Sequence, residues 1–210
     1  MTPIADQESA AEIEGDLAQP LEDGQLVAQL QAGNLEALGG LYERHKLRVY
    51  RTALAITHDP SAAEDILQDC FLRIFRYAHR IDHTLPLEPW LYRVTVNLAY
   101  SRETRRKRWQ MPLDGVIDRL VSPMRASPEW QVEMSDMHTA VIEAIKSLSI
   151  NQRVVIVLYY LNSLSLKEIA FILDCPVGTV KSRLYYGREN LSRKLGEGRK
   201  LTPEMIYEFI

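Results

Sequence analysis

The 210-residue sequence has only two cysteines and contains no run of about 18 apolar residues. Cys70 and Cys175 lie far apart and match no metal-ligand spacing, which argues against a disulfide framework. The missing apolar run excludes a membrane-spanning helix, and residues 1–24 lack the basic and apolar regions of a secretory signal. We therefore expect a cytoplasmic chain without membrane insertion, in which both thiols are small buried groups.

The sequence also lacks a glycine-rich phosphate loop, a nucleophile motif and paired catalytic carboxylates. His79 and His83 stand four residues apart with Asp82 nearby, but no third metal ligand is evident. A helical metal-dependent enzyme is thus one alternative, which metal analysis of the purified protein would test. We expect no enzyme activity, no cofactor and no metal.

The net charge of −3 is unevenly distributed along the chain. Residues 1–24 carry seven acids and no base, which leaves +4 on the remainder. Residues 101–110 hold five bases and one acid, and residues 176–200 hold seven bases and two acids. These two stretches are where a polyanionic partner is plausible.

From about Gly24 onward, apolar residues recur at spacings of three and four, which predicts helices. A cap at Asn34 predicts a helix to about Thr57, and a second helix begins at Asp59-Pro60 or at the alternative capping box of Ser61 and Glu64. Further helices are expected over about 90–106, 129–147, 150–161, 165–173 and 177–195. Residues 80–89 are predicted to form a loop.

The prolines of residues 110–128 indicate a boundary between two helical blocks. The predicted fold is all-α, with two small helical domains joined by a flexible linker. Its parts are an acidic flexible tail (1–24), a first domain (25–109), the linker (110–128), a second domain (129–198) and a C-terminal extension (199–210).

The helix after Asp59 has two contrasting faces. Its expected buried face comprises Ile66, Leu67, Cys70, Phe71, Ile74 and Phe75. Its opposite face carries Asp65, Gln68, Asp69 and Leu72. A solvated surface is the ordinary interpretation of such carboxylates.

The strongest local pattern is SLSLKEIAFILDCPVGTVKSRLYYGRENLSRKL. Ser165 and Glu168 form a capping box, Pro176 opens a second helix, and Val180 and Leu184 belong to that helix's buried stripe. Short polar and basic residues near its N-terminus suit a major groove, which predicts a DNA-binding helix-turn-helix. The alternative is a helical hairpin with a solvated basic face.

The segments SLKEIAFIL and CPVGTVKSRL resemble the helix-turn-helix of bacterial RNA polymerase sigma factors, specifically the extracytoplasmic-function (ECF) group of the sigma-70 family. AEDILQDCFLRIF (residues 63–75) and WLYRVTVNLAYSRETRRKR (residues 90–108) are similar to sigma domain 2. The likeness covers about residues 25–195. It implies a protein that binds core polymerase and directs initiation at −10 and −35 promoter elements.

The resemblance also implies three sets of site residues. Core polymerase, through its β′ clamp helices, would contact Asp65, Gln68, Asp69 and Leu72. The −10 element would be bound by Arg93, Asn97, Arg102, Arg105, Arg106 and Arg108. The −35 element would be bound by Thr179, Lys181, Ser182, Arg183, Tyr186 and Arg188. The second domain would also dock on the β flap, and an anti-sigma factor is an expected partner.

In this family the loop 80–89 forms the pocket for a captured base, and Trp90 is expected to anchor the core rather than to stack on DNA. The main alternative function is a stand-alone helix-turn-helix regulator. Two further alternatives stay open. Residues 1–24 are either a passive tail or an electrostatic mimic of DNA, and the apolar face of residues 202–210 covers either the protein itself or a regulator.

Overall fold

The computed structural model describes residues 23–109 and 136–195, with helical backbone alone for residues 106–109 and 136–139. Every regular element in these ranges is helical, which confirms the all-α prediction. The elements are α1 (23–31), α2 (Glu36–Thr57), α3 (Pro60–Tyr77), a 3₁₀ turn (Ala78–Arg80), α4 (Glu88–Trp109), α5 (Asp136–Lys146), α6 (Ile150–Ile156) with a π-helical continuation (Val157–Leu161), α7 (Leu166–Ile172) and α8 (Val177–Leu195).

The helix starts follow local capping chemistry. Asp59 caps α3 by accepting a hydrogen bond from the Ala62 N–H at 3.2 Å, with Pro60 in the first turn, so the alternative start at Ser61 is not used. Ser165 and Glu168 form the predicted capping box of α7, in which each side chain bonds the other residue's backbone N–H. These contacts satisfy N–H groups that have no partner inside a helix.

The first domain packs α2, α3 and α4 around one apolar core. Leu41, Ile56, Ile66 and Ile74 are buried there. Cys70 lies among them, and burial raises the pKa of its thiol to about 11. The predicted inward face of α3 is wrong at one residue, because Phe75 is 48% exposed.

The second domain packs α5 to α8. Helix α8 crosses α6 closely at Gly187. A Cβ at this position would lie only 3.1 Å from Cγ1 of Ile156. Val180, Leu184 and Leu191 form the buried stripe of α8, while Val177 is half-buried. This crossing directs the opposite face of α8 to solvent.

Two residues that sequence analysis assigned to the flexible tail belong to the folded part of the chain. Asp23 and Gly24 are buried at the start of α1 rather than part of a flexible tail. Residues 1–22, the predicted linker 110–128 and the extension 199–210 lie outside the described residues. In the described part of the chain, no helix combines the length and apolarity that a membrane span needs.

Candidate promoter and polymerase interfaces

The turn between α7 and α8 is closed by short-range hydrogen bonds. The Cys175 N–H donates to the Ala170 carbonyl at 3.1 Å, and Asp174 takes a left-handed conformation with φ 49°. Ile169 and Ala170 of α7 and Val180 and Leu184 of α8 are buried against the rest of the domain. The turn therefore holds α8 with its N-terminal half exposed, as a groove-binding helix requires.

The predicted −35 residues share this outer face of α8. Lys181, Ser182, Tyr186 and Arg188 are exposed, and Thr179 and Arg183 are half-buried. Tyr186 makes an edge contact with Tyr185, and the Arg188 guanidinium lies 5.1 Å from the Tyr159 ring centroid. Within the described residues, Lys181 and Arg183 form no ion pair.

The predicted −10 residues of α4 differ from the −35 residues, because some of them contact other parts of the protein. Asn97 and Arg105 are exposed, but the half-buried Arg93 donates hydrogen bonds to the carbonyls of Phe171 and Ile172 in the second domain. The Arg93 guanidinium also lies 5.0 Å from the Phe171 ring centroid. The side chains of Arg106 and Arg108 lie outside the described residues.

A second α4 arginine connects two of the predicted sites. Arg102, from the −10 set, forms a 2.8 Å ion pair with Asp65, from the polymerase set. Both side chains are substantially exposed, so water screens this pair strongly. Tyr100, between these arginines on α4, donates a hydrogen bond to Asn151 of the second domain. Burial raises the pKa of the Tyr100 phenol, although the charge of Arg183 opposes that shift.

The predicted polymerase residues lie together on the outer face of α3. Asp65, Gln68 and Leu72 are exposed, and Asp69 is half-buried. Phe75, which sequence periodicity assigned to the core, lies one turn beyond Leu72 and adds a second exposed apolar group next to the carboxylates. The face thus combines exposed apolar area, which suits a protein partner, with negative charge, which would favour a basic one.

The loop 80–89 is supported by α1, a role that sequence analysis missed. The Gln31 amide donates to the carbonyls of Ala78 and Ile81 at 2.9 and 2.8 Å. A Cβ at Gly24 would lie 2.3 Å from the His83 carbonyl oxygen, so only glycine fits this close approach. Helix α1 therefore fixes the position of the loop.

Asp23 secures α1 to α2. Its carboxylate contacts Arg44 at 2.8 Å and His45 at 2.7 Å. Burial raises the pKa of Asp23, but the hydrogen bonds and charges of His45 and Arg44 outweigh burial, so its pKa lies below the ordinary value of 3.8. Sequence analysis counted Asp23 among the seven acids of the tail and therefore missed that its carboxylate is buried.

Two other expectations concern this region. Trp90 is half-buried and packs against the core, as expected of an anchor. His79 and His83 are both exposed, and the described residues contain no group of three metal-ligating side chains.

Arg153 is a further residue that sequence analysis missed. It is only 6% exposed, and its guanidinium donates to the Ile56 carbonyl at 2.6 Å and the Lys146 carbonyl at 2.7 Å. Glu103 lies 3.8 Å away and is also buried. The available signal was an arginine directly before the apolar run Val154–Leu158, on a helix whose apolar residues are expected to be buried.

Two family models match this chain. Residues 41–110 match sigma-70 region 2, and residues 138–191 match sigma-70 region 4. The chain is 32% identical to the ECF RNA polymerase sigma factor SigW of Bacillus subtilis, over 80% of this chain and 94% of that protein. It is 30% identical to the ECF RNA polymerase sigma-E factor of Escherichia coli, over 85% and 97%.

Two solved structures share the fold. The structure of CnrH in complex with the cytosolic domain of CnrY superposes with a TM-score of 0.62 at 24% identity, covering 85% of this chain and 99% of CnrH. The sigma factor RpoE of Bartonella quintana, in complex with the anti-sigma factor NepR, gives 0.58 at 24% identity, covering 76% and 99%.

These matches cover both domains of the chain in the expected order. They exclude the alternative of a stand-alone helix-turn-helix regulator. A sigma factor gives core RNA polymerase its choice of promoter, which agrees with two helical domains that each expose polar and basic residues. The chain belongs to the ECF group of the sigma-70 family and is a promoter-directing sigma factor.

Proposed function

We propose that the chain directs initiation through three surfaces: the outer face of α3 for core polymerase, the face of α4 for the −10 element, and the face of α8 for the −35 element. One observation carries this proposal. Basic and amide side chains follow one face of α4 and of α8, whereas carboxylates follow the outer face of α3. We also propose the domain limits 25–109 and 129–198 that the sequence predicts, with the start of the first domain moved to Asp23, where α1 begins.

Core polymerase would bind Asp65, Gln68, Asp69 and Leu72 through its β′ clamp helices, with Phe75 extending the contact. Opposite charges on the two partners would speed their encounter and set their register more than they would raise affinity. The second domain would dock on the β flap.

At the −10 element, capturing a base costs a few kcal/mol of lost stacking and pairing. A loop held by α1 suits this task, because a preordered pocket avoids the entropy of ordering on binding. Asn97 would pair with a base edge, and Arg93, Arg102, Arg105, Arg106 and Arg108 would contact phosphates.

At the −35 element, Lys181 and Arg183 would contact guanine edges or phosphates in the major groove. Ser182 and Thr179 would contact the backbone, Tyr186 a thymine methyl or sugar, and Arg188 a phosphate. Affinity should therefore fall steeply with salt.

Regulation and location follow from the same proposal. The fold neighbours were solved with anti-sigma factors or cytosolic partner domains, which supports an anti-sigma partner for this chain as well. Because its target would be RNA polymerase, we place its action in the cytoplasm, without catalytic activity of its own.

Reconstitution with core polymerase tests the polymerase face. The double variant Asp65→Arg/Asp69→Arg should bind core at least tenfold more weakly, chiefly through slower association. Asp69→Arg alone is the cleaner variant, because Asp65 also pairs with Arg102.

The matched control is Glu36→Arg/Glu43→Arg, which makes the same charge change at two exposed carboxylates of α2. It should keep core affinity within about twofold, since surface substitutions away from a contact have small effects. Unchanged core affinity in the α3 variants would refute the assignment of that face.

A further inference from the structure

Three arginines of α2 share one face of that helix, and the three proposed surfaces use none of them. Arg44, Arg48 and Arg51 are four and three residues apart, a spacing that places side chains on one helix face. No acid occurs between residues 44 and 51. We refer to these three residues as the arginine stripe.

The three side chains differ in how their charge is balanced. Arg44 contacts the buried Asp23 at 2.8 Å, which fixes the position of its guanidinium. Arg48 pairs with Glu88, and both side chains are more than one-third exposed, so water screens this pair and another anion can replace the carboxylate. Arg51 is exposed and forms no ion pair within the described residues. With three bases against two carboxylates, the stripe keeps a positive charge that solvent can reach.

The space over the stripe is open. Arg48 and Arg51 line a groove of about 580 Å³, whose opposite wall includes residues 161–164 of the second domain. Leu47, which is 56% exposed, lines the same groove. Guanidinium groups bind phosphates, and an exposed leucine between them offers apolar area to a sugar or a base. The groove therefore suits a strand of nucleic acid better than it suits a purely apolar ligand.

Both ion pairs of the stripe place it beside the loop 80–89. Glu88, the partner of Arg48, is the first residue of α4 and lies at the end of that loop. Asp23, the other carboxylate paired with the stripe, precedes Gly24, which a loop carbonyl approaches too closely for a Cβ. A strand that leaves the loop on this side therefore meets the arginine stripe.

The order of the domains gives the direction of that strand. The C-terminal end of α4 continues through residues 110–135 to the domain that is proposed to bind the −35 element, which lies upstream. The N-terminal end of α4, with the loop and the stripe, therefore faces the downstream side. There the opened promoter strand has lost its partner and presents its phosphates to the protein.

We infer that the arginine stripe binds phosphates of the single promoter strand immediately downstream of the base that the loop 80–89 captures. Arg48 and Arg51 make the contacts, and Arg48 exchanges Glu88 for a phosphate. This inference rests on the proposed function of the loop. Because a held strand cannot re-pair with its complement, the stripe stabilises the open promoter.

Binding of single strands to the reconstituted holoenzyme tests this inference. The probes are two fluorescent oligonucleotides of the captured strand, from a promoter that the holoenzyme uses. One ends at the −10 element, and the other continues for about five nucleotides downstream. Arg48→Gln/Arg51→Gln should weaken binding of the longer probe about five- to tenfold and keep the shorter probe within about twofold. The salt dependence of the longer probe should also fall by about 1.4 in log–log slope, since each phosphate contact on a single strand contributes about 0.7.

The matched control is Lys46→Gln/Arg193→Gln. It removes the same charge from the opposite face of α2 and from an exposed position near the end of α8. Both probes should bind this variant within about twofold of wild type. Unchanged binding of the longer probe to the stripe variant would overturn the inference, and so would an equal loss on both probes.

The outcomes separate this inference from the proposed function. If the wild-type holoenzyme binds the shorter probe no better than a scrambled sequence, the proposed function of the loop fails, and the inference fails with it. If the shorter probe binds specifically but the stripe variant treats the two probes alike, only the arginine stripe is misassigned.

Discussion

Helices α4 and α8 carry the two proposed DNA-binding faces, but they differ in how those faces are occupied. On α8, Lys181 and Ser182 point to solvent, and α8 contacts the rest of its domain through the opposite stripe. On α4, Arg93 is bound to α7 and Arg102 is paired with Asp65. The Lys181 and Ser182 part of the −35 face is therefore uncovered, although Arg188 lies over the Tyr159 ring, whereas Arg93 and Arg102 of the −10 face are both bound to other residues.

The difference arises from position in the fold. Helix α8 ends the described chain and packs against its own domain through its buried stripe of Val180, Leu184 and Leu191. Helix α4 lies between α3 and the second domain, so that its polar stripe meets protein on two sides. A basic stripe therefore indicates a DNA-binding surface only after its intramolecular partners are known.

The largest effect is expected on α8. Lys181→Ala/Arg183→Ala should weaken promoter binding by the holoenzyme about 30-fold or more, because each lost base contact costs at least about 1 kcal/mol. Core affinity should stay nearly unchanged. Equilibrium binding to a promoter fragment measures this, with Lys146→Ala/Arg193→Ala as the equal-charge control. Loss of core binding instead would mean that the second domain is misassigned.

The next largest effect is expected on the free energy of unfolding, because the proposed −35 and −10 faces are held in place by different contacts. The turn before α8 is held by bonds between near neighbours, but the loop before α4 depends on α1 and Asp23. Asp23→Asn should lower the free energy of unfolding by about 1.5–3 kcal/mol at neutral pH, since a charged buried hydrogen-bond partner is lost.

The pH dependence of that loss has a definite sign. The pKa of Asp23 is lowered in the folded state, so its carboxylate stabilises the fold above the ordinary value of 3.8 and loses that effect as pH falls further. The gap between wild type and variant, measured by urea unfolding, should narrow below about pH 4, as the Asp23 carboxylate is protonated. A gap that widens in acid would contradict the account.

A smaller effect is expected at Arg93. Arg93→Ala removes one proposed phosphate contact to the −10 element. Holoenzyme binding to a fragment carrying only the −10 element should fall about fivefold, which is about 1 kcal/mol. Arg193→Ala, at an exposed arginine of α8, is the control. Unchanged binding to the −10 fragment would contradict the assignment of Arg93 to that element.

The smallest effect concerns the ion pair between Asp65 and Arg102. A double-mutant cycle on unfolding, with Asn and Gln replacements, should give a coupling energy of about 0.2–1 kcal/mol, because both side chains are more than one-third exposed to water. Molar salt should remove it. A coupling above about 2 kcal/mol would mean that the pair is a structural element rather than an exchangeable contact.

Much of the fold was predictable because its signals are local. Asp59, Ser165 and Glu168 cap the helices that sequence analysis assigned to them. The spacing of three and four between apolar residues is also a local signal, and it identified the buried stripe of α8. It failed at Phe75, because periodicity gives a residue's angle on its helix but not whether a neighbour covers that angle.

The residues that were missed act over long distances in sequence. Asp23 meets Arg44 and His45 about 20 residues later, and Arg153 meets Ile56 almost 100 residues earlier. No local pattern predicts such partners. The occupied state of Arg93 likewise depends on the placement of one domain against the other, which composition and spacing do not determine.

Site-specific photo-crosslinking tests the central claim most directly. A photoreactive residue is placed at Asn97 or at Lys181, and crosslinked nucleotides are mapped in the complex of holoenzyme and promoter. The account predicts that position 97 crosslinks near −10 and position 181 near −35 on one DNA molecule. Crosslinks from both positions to the same element, or from neither to DNA, would contradict it.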